Sequence, residues 1–325
     1  MPKHPPTSHG RASADRKSLE ITDGLVHFVD FFQETAGIET LLRFLEEASV
    51  HRAVVCGLPV TKMWAEWEHD QPHDFLDDDS HLYFYSHTDE ILAREIEKLP
   101  IKSRRVFAPL VCGFNPCDRF AVRHIERLFQ SRPGFWKGIG EVFFRHDDVT
   151  HLTYGEPPRP NHPAMQPIYE FAAAHSLPVL FHQDITSPNM CHAHKYLGEL
   201  KEALKAFPDT RFVWAHCGCS ERVRVPEYAA LIADMLSAHS NLHADISWAI
   251  LDDVICKDGV LSQEWVMVIE KYSPRFSLGS DVAGSFHRIP GILAQYTPLL
   301  QALSREAHED VSHRTADALY FSSPA

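Results

Sequence analysis

The chain has 325 residues, 44% hydrophobic and 23% charged, an ordinary globular composition that can bury a large core. Its formal net charge of −13 argues against a nucleic-acid backbone as substrate, because phosphate binding usually shows as a basic face. Seven cysteines, odd in number and set in apolar contexts such as Val55-Cys56 and Val111-Cys112, read as reduced thiols and not as a disulfide framework.

The first twenty residues are polar and carry no apolar run, so they read as neither a secretory signal nor a membrane span. A disordered tail over 1–20, one domain over 21–325 and a cytoplasmic location are expected. From residue 21 onward, strand-like and helix-like segments alternate. Strands are expected near 24–31, 52–58, 105–113, 137–144, 178–183, 211–216, 242–247 and 276–281. Helices are expected over 38–49, 88–98, 118–130, 163–175, 193–206, 226–239, 262–271 and 289–303. Eight strand-then-helix units predict an α/β fold, a closed (β/α)8 TIM barrel. No Gly-x-Gly-x-x-Gly or Gly-x-x-x-x-Gly-Lys loop supports a nucleotide-binding sheet. Long connections follow the second strand (Trp64–Thr88) and the fourth (Arg145–Asn161), and both are expected to be lids on the catalytic face.

The strand ends carry the chemistry. The runs close on His27, Glu141, His182, His216 and Asp281, residues that suit a hard or borderline divalent ion. One carboxylate and two imidazoles are ordinary zinc ligands that leave positions for water, and a neighbouring carboxylate can accept that water's proton. Asp245, at the end of the seventh strand, is expected to bond a ligand histidine. Arg222 and Arg224 follow His216 and can face a substrate carboxylate, while Trp64, Tyr85 and Tyr154 lie on the two lids as substrate contacts. His192-Ala193-His194 reads as solvated surface, and Cys217 and Cys219 as small buried residues, since Cys-x-Cys is not a zinc or redox spacing.

The segments His27-Phe28-Val29-Asp30-Phe31, Gly140-Glu141 through Asp148, Trp214-Ala215-His216-Cys217-Gly218 and Gly279-Ser280-Asp281 resemble the amidohydrolase superfamily, in its amidohydrolase-related branch. The resemblance runs from about residue 21 to the end. It implies a barrel with one or two metals at the strand ends, held by His-x-His on strand one, Lys or Glu on strand four, His on strands five and six, and Asp on strand eight. Glu141, His182, His216 and Asp281 match that pattern. Strand one matches at His27 alone, because Leu25 stands where the first histidine belongs and projects to the same face.

The resemblance therefore implies one divalent metal on Glu141, His182 and His216, as in superfamily sugar deacetylases that lack the strand-one pair. His27 and Asp281 would be catalytic or further ligands. Zinc is the first choice, with manganese, iron or nickel as alternatives. The expected reaction is hydrolysis of an amide, lactone or ester bond in a small organic molecule, with Asp281 as general base. Non-oxidative decarboxylation of an aromatic or unsaturated carboxylate and a catalytically degenerate binding barrel are the alternatives. Glu141 and Leu25 count against the decarboxylase, while the overall charge and the missing first histidine count against a TatD-like nuclease. No nucleic-acid or membrane partner is expected, and a homodimer is left open.

Overall fold

The computed structural model describes residues 20–63, 81–84, 86–146, 156–187, 190 and 193–322. Chain order runs β1 (Ile21–Val29), α1 (Ile38–Glu47), β2 (Val50–Gly57), β3 (Val60–Met63), β4 (His81–Phe84), α2 (Thr88–Glu97), α3 (Ile101–Arg104), β5 (Phe107–Val111) and α4 (Ala121–Ser131). It continues through β6 (Gly138–Phe144), α5 (Gln166–Ala174), β7 (Pro178–Gln183), α6 (Leu197–Ala206), β8 (Arg211–Trp214), α7 (Tyr228–Ala238) and β9 (Leu242–Asp245). The last third holds β10 (Cys256–Lys257), β11 (Val260–Leu261), α8 (Gln263–Lys271), β12 (Phe276–Ser277), β13 (Val282–Ala283), α9 (Ile289–Gln295), α10 (Thr297–Ala302) and α11 (Arg305–Glu309).

The main sheet is parallel throughout, in the order β12-β9-β8-β7-β6-β5-β2-β1-β13. Its two end strands, β12 and β13, belong to one stretch of chain, residues 276–283. That stretch bonds to the seventh barrel strand on one side and the first on the other, through Ile246 N to Ser277 O (3.0 Å), Gly24 N to Leu278 O (2.9 Å) and Asp281 N to Leu25 O (2.9 Å). The ring therefore closes as a (β/α)8 barrel whose eighth strand is broken over 278–281.

The strands form here because their residues are buried on both faces, as parallel strands require. Outward side chains such as Phe28, Phe144, Phe181 and Trp214 pack under the helices. Inward ones, among them Leu25, Val54, Leu110, Leu180 and Val213, fill the bore together with Leu319 and Tyr320 from the carboxyl-terminal turn. That turn seals the end of the barrel where the strands begin. Asp317 accepts a hydrogen bond from Thr22 Oγ1 (2.8 Å) and pairs with Arg52 (2.7 Å) and His51 (3.6 Å). The opposite end, where strands finish, is left for the site.

Three expectations need correction. The first strand begins at Ile21, since Thr22 and Asp23 are already buried within it. The stretch read as a lid after the second strand contains β4, which pairs antiparallel with β3 just before that stretch; residues 64–80 between these strands, and 147–155 of the other expected lid, lie outside the described residues, as does 1–19 of the expected tail. The sixth and eighth strands stop short of His216 and Asp281, which sit in strained backbone just beyond them.

The Asp317 carboxyl is held below its ordinary value of 3.8: burial acts against the charge, but His51, Thr22 and Arg52 outweigh it. A depressed carboxylate stabilises the fold above its unfolded value and loses that contribution as pH falls through the folded one. Asp317→Ala is expected to lower unfolding free energy by about 1–2 kcal/mol at neutral pH. The deficit should shrink in acid, and an unchanged urea midpoint at neutral pH would contradict the seal.

Candidate metal centre

Each expected strand-end residue is delivered by a local backbone device. Glu141 follows Gly140, whose φ is 134° and where a Cβ would lie 2.2 Å from Leu180 O, so only glycine lets β6 approach β7 this closely. His182 is the fifth residue of β7 and points inward. His216 lies in a tight turn directly after β8, with φ of 53° at His216 and 52° at Cys217. Asp281 has φ 52° in the break of the eighth strand. Such conformations cost side-chain-bearing residues roughly 1–3 kcal/mol each and persist only where the surroundings impose them.

The turns bring four of these side chains around Glu141. Glu141 Oε1 lies 3.7 Å from His182 Nδ1 and 3.8 Å from His216 Nε2. Its other oxygen, Oε2, lies 3.1 Å from His27 Nε2, which is also 3.1 Å from Asp281 Oδ1. Asp281 Oδ2 is 3.7 Å from His216 Nε2. Two triads thus have donor atoms within 4.8 Å of one another, Glu141–His182–His216 and His27–Glu141–Asp281, and Glu141 belongs to both. Glu141 Oε1 is buried and makes no hydrogen bond among the described residues. Donors about 2.1 Å from one tetrahedral ion lie roughly 3.4 Å apart, so the first triad fits a divalent cation.

Neighbouring groups fix which nitrogen faces inward. His182 Nε2 is 2.9 Å from Asp184 Oδ1; a carboxylate only accepts, so Nε2 carries the proton and Nδ1 presents its lone pair to Glu141. His216 Nδ1 is 3.1 Å from the Ser247 carbonyl and 3.0 Å from its hydroxyl, which turns Nε2 inward. Asp245, expected to bond a ligand histidine, lies 3.5 Å from His216 Nδ1 and accepts from the backbone N–H of His216 (3.3 Å) and Ser247 (3.1 Å). His27 Nδ1 is backed by the Cys56 sulfur at 3.4 Å.

Electrostatics split the histidines. Burial pushes His182 well below its ordinary value, aided by His146, His216 and His27, so it is a neutral donor. Burial also opposes charge on His216 and His27, but Asp281, Asp245 and Glu141 lift His216 to about 9. Cys56, Asp281 and Glu141 hold His27 well above its usual value. Asp281 is drawn below the usual carboxylate range: burial resists, while His216 and His27 outweigh it. The carboxylates thus favour positive charge around His27 and His216, the charge that a divalent cation would supply to Glu141 and Asp281 when bound.

Leu25 lies fully buried in the bore with Cys56, on the inward face it shares with His27. Cys217 and Cys219 are buried as expected, and burial raises both thiols, Cys219 to about 12, so neither offers a thiolate. Arg222 is exposed, and Arg224 is exposed and pairs with Asp253. His194 is exposed ahead of α6. The expected contacts Trp64, Tyr85 and Tyr154, together with His192, lie outside the described residues.

Three residues at the centre escaped the sequence reading. Asp184 stands two residues beyond His182, and that alternation alone was the available signal. His146, buried just past β6, packs its ring 4.3 Å from that of His182. Trp248 lies three residues past β9, with its ring 5.1 Å from His216 and 6.2 Å from His182.

A sequence model of the amidohydrolase family matches residues 121–321, more than half of the chain. Comparison with curated protein sequences gave no match. Solved structures of similar fold include an uncharacterized TIM-barrel protein from Bordetella bronchiseptica (14% identity, 93% of this chain and 98% of that one, TM-score 0.58). They also include a dihydroorotase from Campylobacter jejuni (16%, 94% and 84%, 0.56) and a zinc-bound amidohydrolase from Burkholderia multivorans (12%, 93% and 99%, 0.53). Identities this low establish the fold, and the family match carries the kinship. A closed barrel that gathers Glu141, His182, His216, His27 and Asp281 at its strand ends, with that match across its larger part, makes this chain a member of the amidohydrolase family and an enzyme of its superfamily.

Proposed function

We propose that the chain hydrolyses an amide, ester or lactone bond in a small organic substrate, using one divalent cation held by Glu141, His182 and His216. The observation that carries this reading is Glu141 Oε1, buried, without a hydrogen bond among the described residues and 3.7–3.8 Å from two inward-facing imidazole nitrogens. Two imidazoles and a carboxylate suit zinc, with manganese, iron and nickel as alternatives. When bound, the cation would polarise water and the scissile carbonyl.

The chain's own residues then divide the work by exposure. Asp281 keeps 12% of its side chain exposed, whereas Glu141, His182 and His216 keep 1–2%. Asp281 therefore meets both the centre and entering water. It accepts the proton at Oδ2 and returns it to the leaving nitrogen or oxygen. His27, with Nε2 between Glu141 and Asp281, holds both carboxylates in place. Leu25 removes one imidazole from the His27–Glu141–Asp281 triad, which favours a single ion. A dihydroorotase and a zinc-bound amidohydrolase among the proteins of similar fold support hydrolysis and zinc.

Metal analysis after zinc loading should find about one equivalent, lost in Glu141→Gln and His182→Ala. Protein that stays metal-free after supplementation would sink the hydrolase and decarboxylase readings together. A panel of N-acyl compounds, lactones and aromatic carboxylates tests the reaction, and release of CO2 alone would replace hydrolysis with decarboxylation. Asp281→Asn should keep the zinc and lose about 10²–10⁴ in kcat. Asp184→Asn should weaken zinc binding about 10–100-fold by freeing the His182 ring, measured by chelator competition. Leu25→His should add a second equivalent of metal; a variant with unchanged stoichiometry would mean position 25 is not the missing ligand site.

A further inference from the structure

Trp248 has an unusual post. It follows Ser247, which faces His216 Nδ1, and it adopts φ 57°, a region bulky residues avoid at a cost on the order of 1–3 kcal/mol. The half-buried indole packs against the edge of the core and stands over the centre, 5.1 Å from the His216 ring and 6.2 Å from that of His182. His146 faces the indole at 6.4 Å with planes 26° apart, itself set 5.4 Å from Phe143 and 4.3 Å from His182. Aromatic rings in contact have centroids about 4.5–7 Å apart, so at 6.4 Å His146 covers only part of the half-buried indole among the described residues.

We propose that this face of Trp248 seats a planar unsaturated part of the substrate, an aryl or conjugated acyl group bonded directly to the reacting carbon. The proposal deepens the hydrolase reading and rests on it for the position of the reacting carbon. A cation would lie about 2 Å from the His182 and His216 nitrogens. With the indole only 5.1–6.2 Å from those rings, a group lying on it has room for about one or two bonds to the reacting carbon. A flat π-system meets the indole face over its whole area, whereas a puckered saturated ring of the same size touches it at a few hydrogens. His146, with Phe143 against it, stands beside that face.

The test is a pair of unreactive probes, benzoate and cyclohexanecarboxylate, titrated calorimetrically into the zinc-loaded full-length protein. Benzoate should bind roughly five- to tenfold more tightly. Trp248→Leu should reduce that ratio to about twofold or less while zinc stoichiometry is kept, and Trp248→Phe should retain most of it. Equal affinities in the wild type, no benzoate binding, or an undiminished ratio in Trp248→Leu would overturn the proposal. The wild-type ratio needs no variant, so it decides the matter even if Trp248→Leu does not fold. A benzoate preference in a protein that hydrolyses nothing counts against the hydrolase reading alone, and equal affinities in an active hydrolase count against the stacking seat alone.

Discussion

A carboxylate at 1% exposure, with one oxygen that finds no hydrogen bond among the described residues, is the constraint on which the rest of this barrel's catalytic end depends. Burying Glu141 without compensation would cost several kcal/mol. The groups within ion-pair reach of it are imidazoles: His27, His182 and His216. The surrounding backbone reflects that demand. Gly140 exists so that β6 can press against β7, and His216 and Asp281 occupy left-handed conformations that turn their side chains back over the bore. Each device is unfavourable alone, and together they converge on one carboxylate.

The two sides of Glu141 are built to different standards. On the Oε1 side, His182 is oriented by the Asp184 carboxylate, and His216 by Ser247 and Asp245, all buried. On the Oε2 side, His27 is backed by a thiol, a weak hydrogen-bonding group, and its partner position along β1 is the apolar Leu25. A metal site needs ligands whose rotamers and tautomers are fixed by a surrounding layer of partners. Only the Oε1 side has that layer on both imidazoles. The asymmetry seen at Leu25 in the sequence therefore extends one layer outward in the structure, and both layers favour the same single position.

The eight barrel strands were legible because a parallel strand buried on both faces must be an apolar run, and the polar residue ending each run stands out against it. Glu141, His182, His216 and Asp281 were found that way. Asp184, His146 and Trp248 were not, because their placement depends on the path of chain beyond the strand. No local pattern announces that Trp248 takes a positive φ, or that the backbone past β6 folds His146 onto His182. The β3–β4 hairpin was hidden for a related reason: its strands flank a long polar and aromatic stretch that reads as loop. The breaks before His216 and Asp281 also escaped, since hydrophobic periodicity marks where a strand runs and is blind to the turn that re-aims the next side chain.

The break in the eighth strand gives a physical basis for the different work proposed for two chemically similar residues. Glu141 sits inside β6, where its register shifts against β7, and its carboxylate is enclosed. Asp281 sits where the strand has opened, tied back by its N–H to Leu25 O and by the Ser280 N–H to Asp23. That leaves its carboxylate at the rim, 12% exposed, between His27 and His216. A metal ligand needs to see only the ion, and enclosure strengthens it by excluding competing water. A proton acceptor must see both the centre and the water that enters, and must then reach the departing group. Of these two carboxylates the one on the open segment meets both conditions, so the division of labour proposed for Glu141 and Asp281 follows from where the barrel closes its ring.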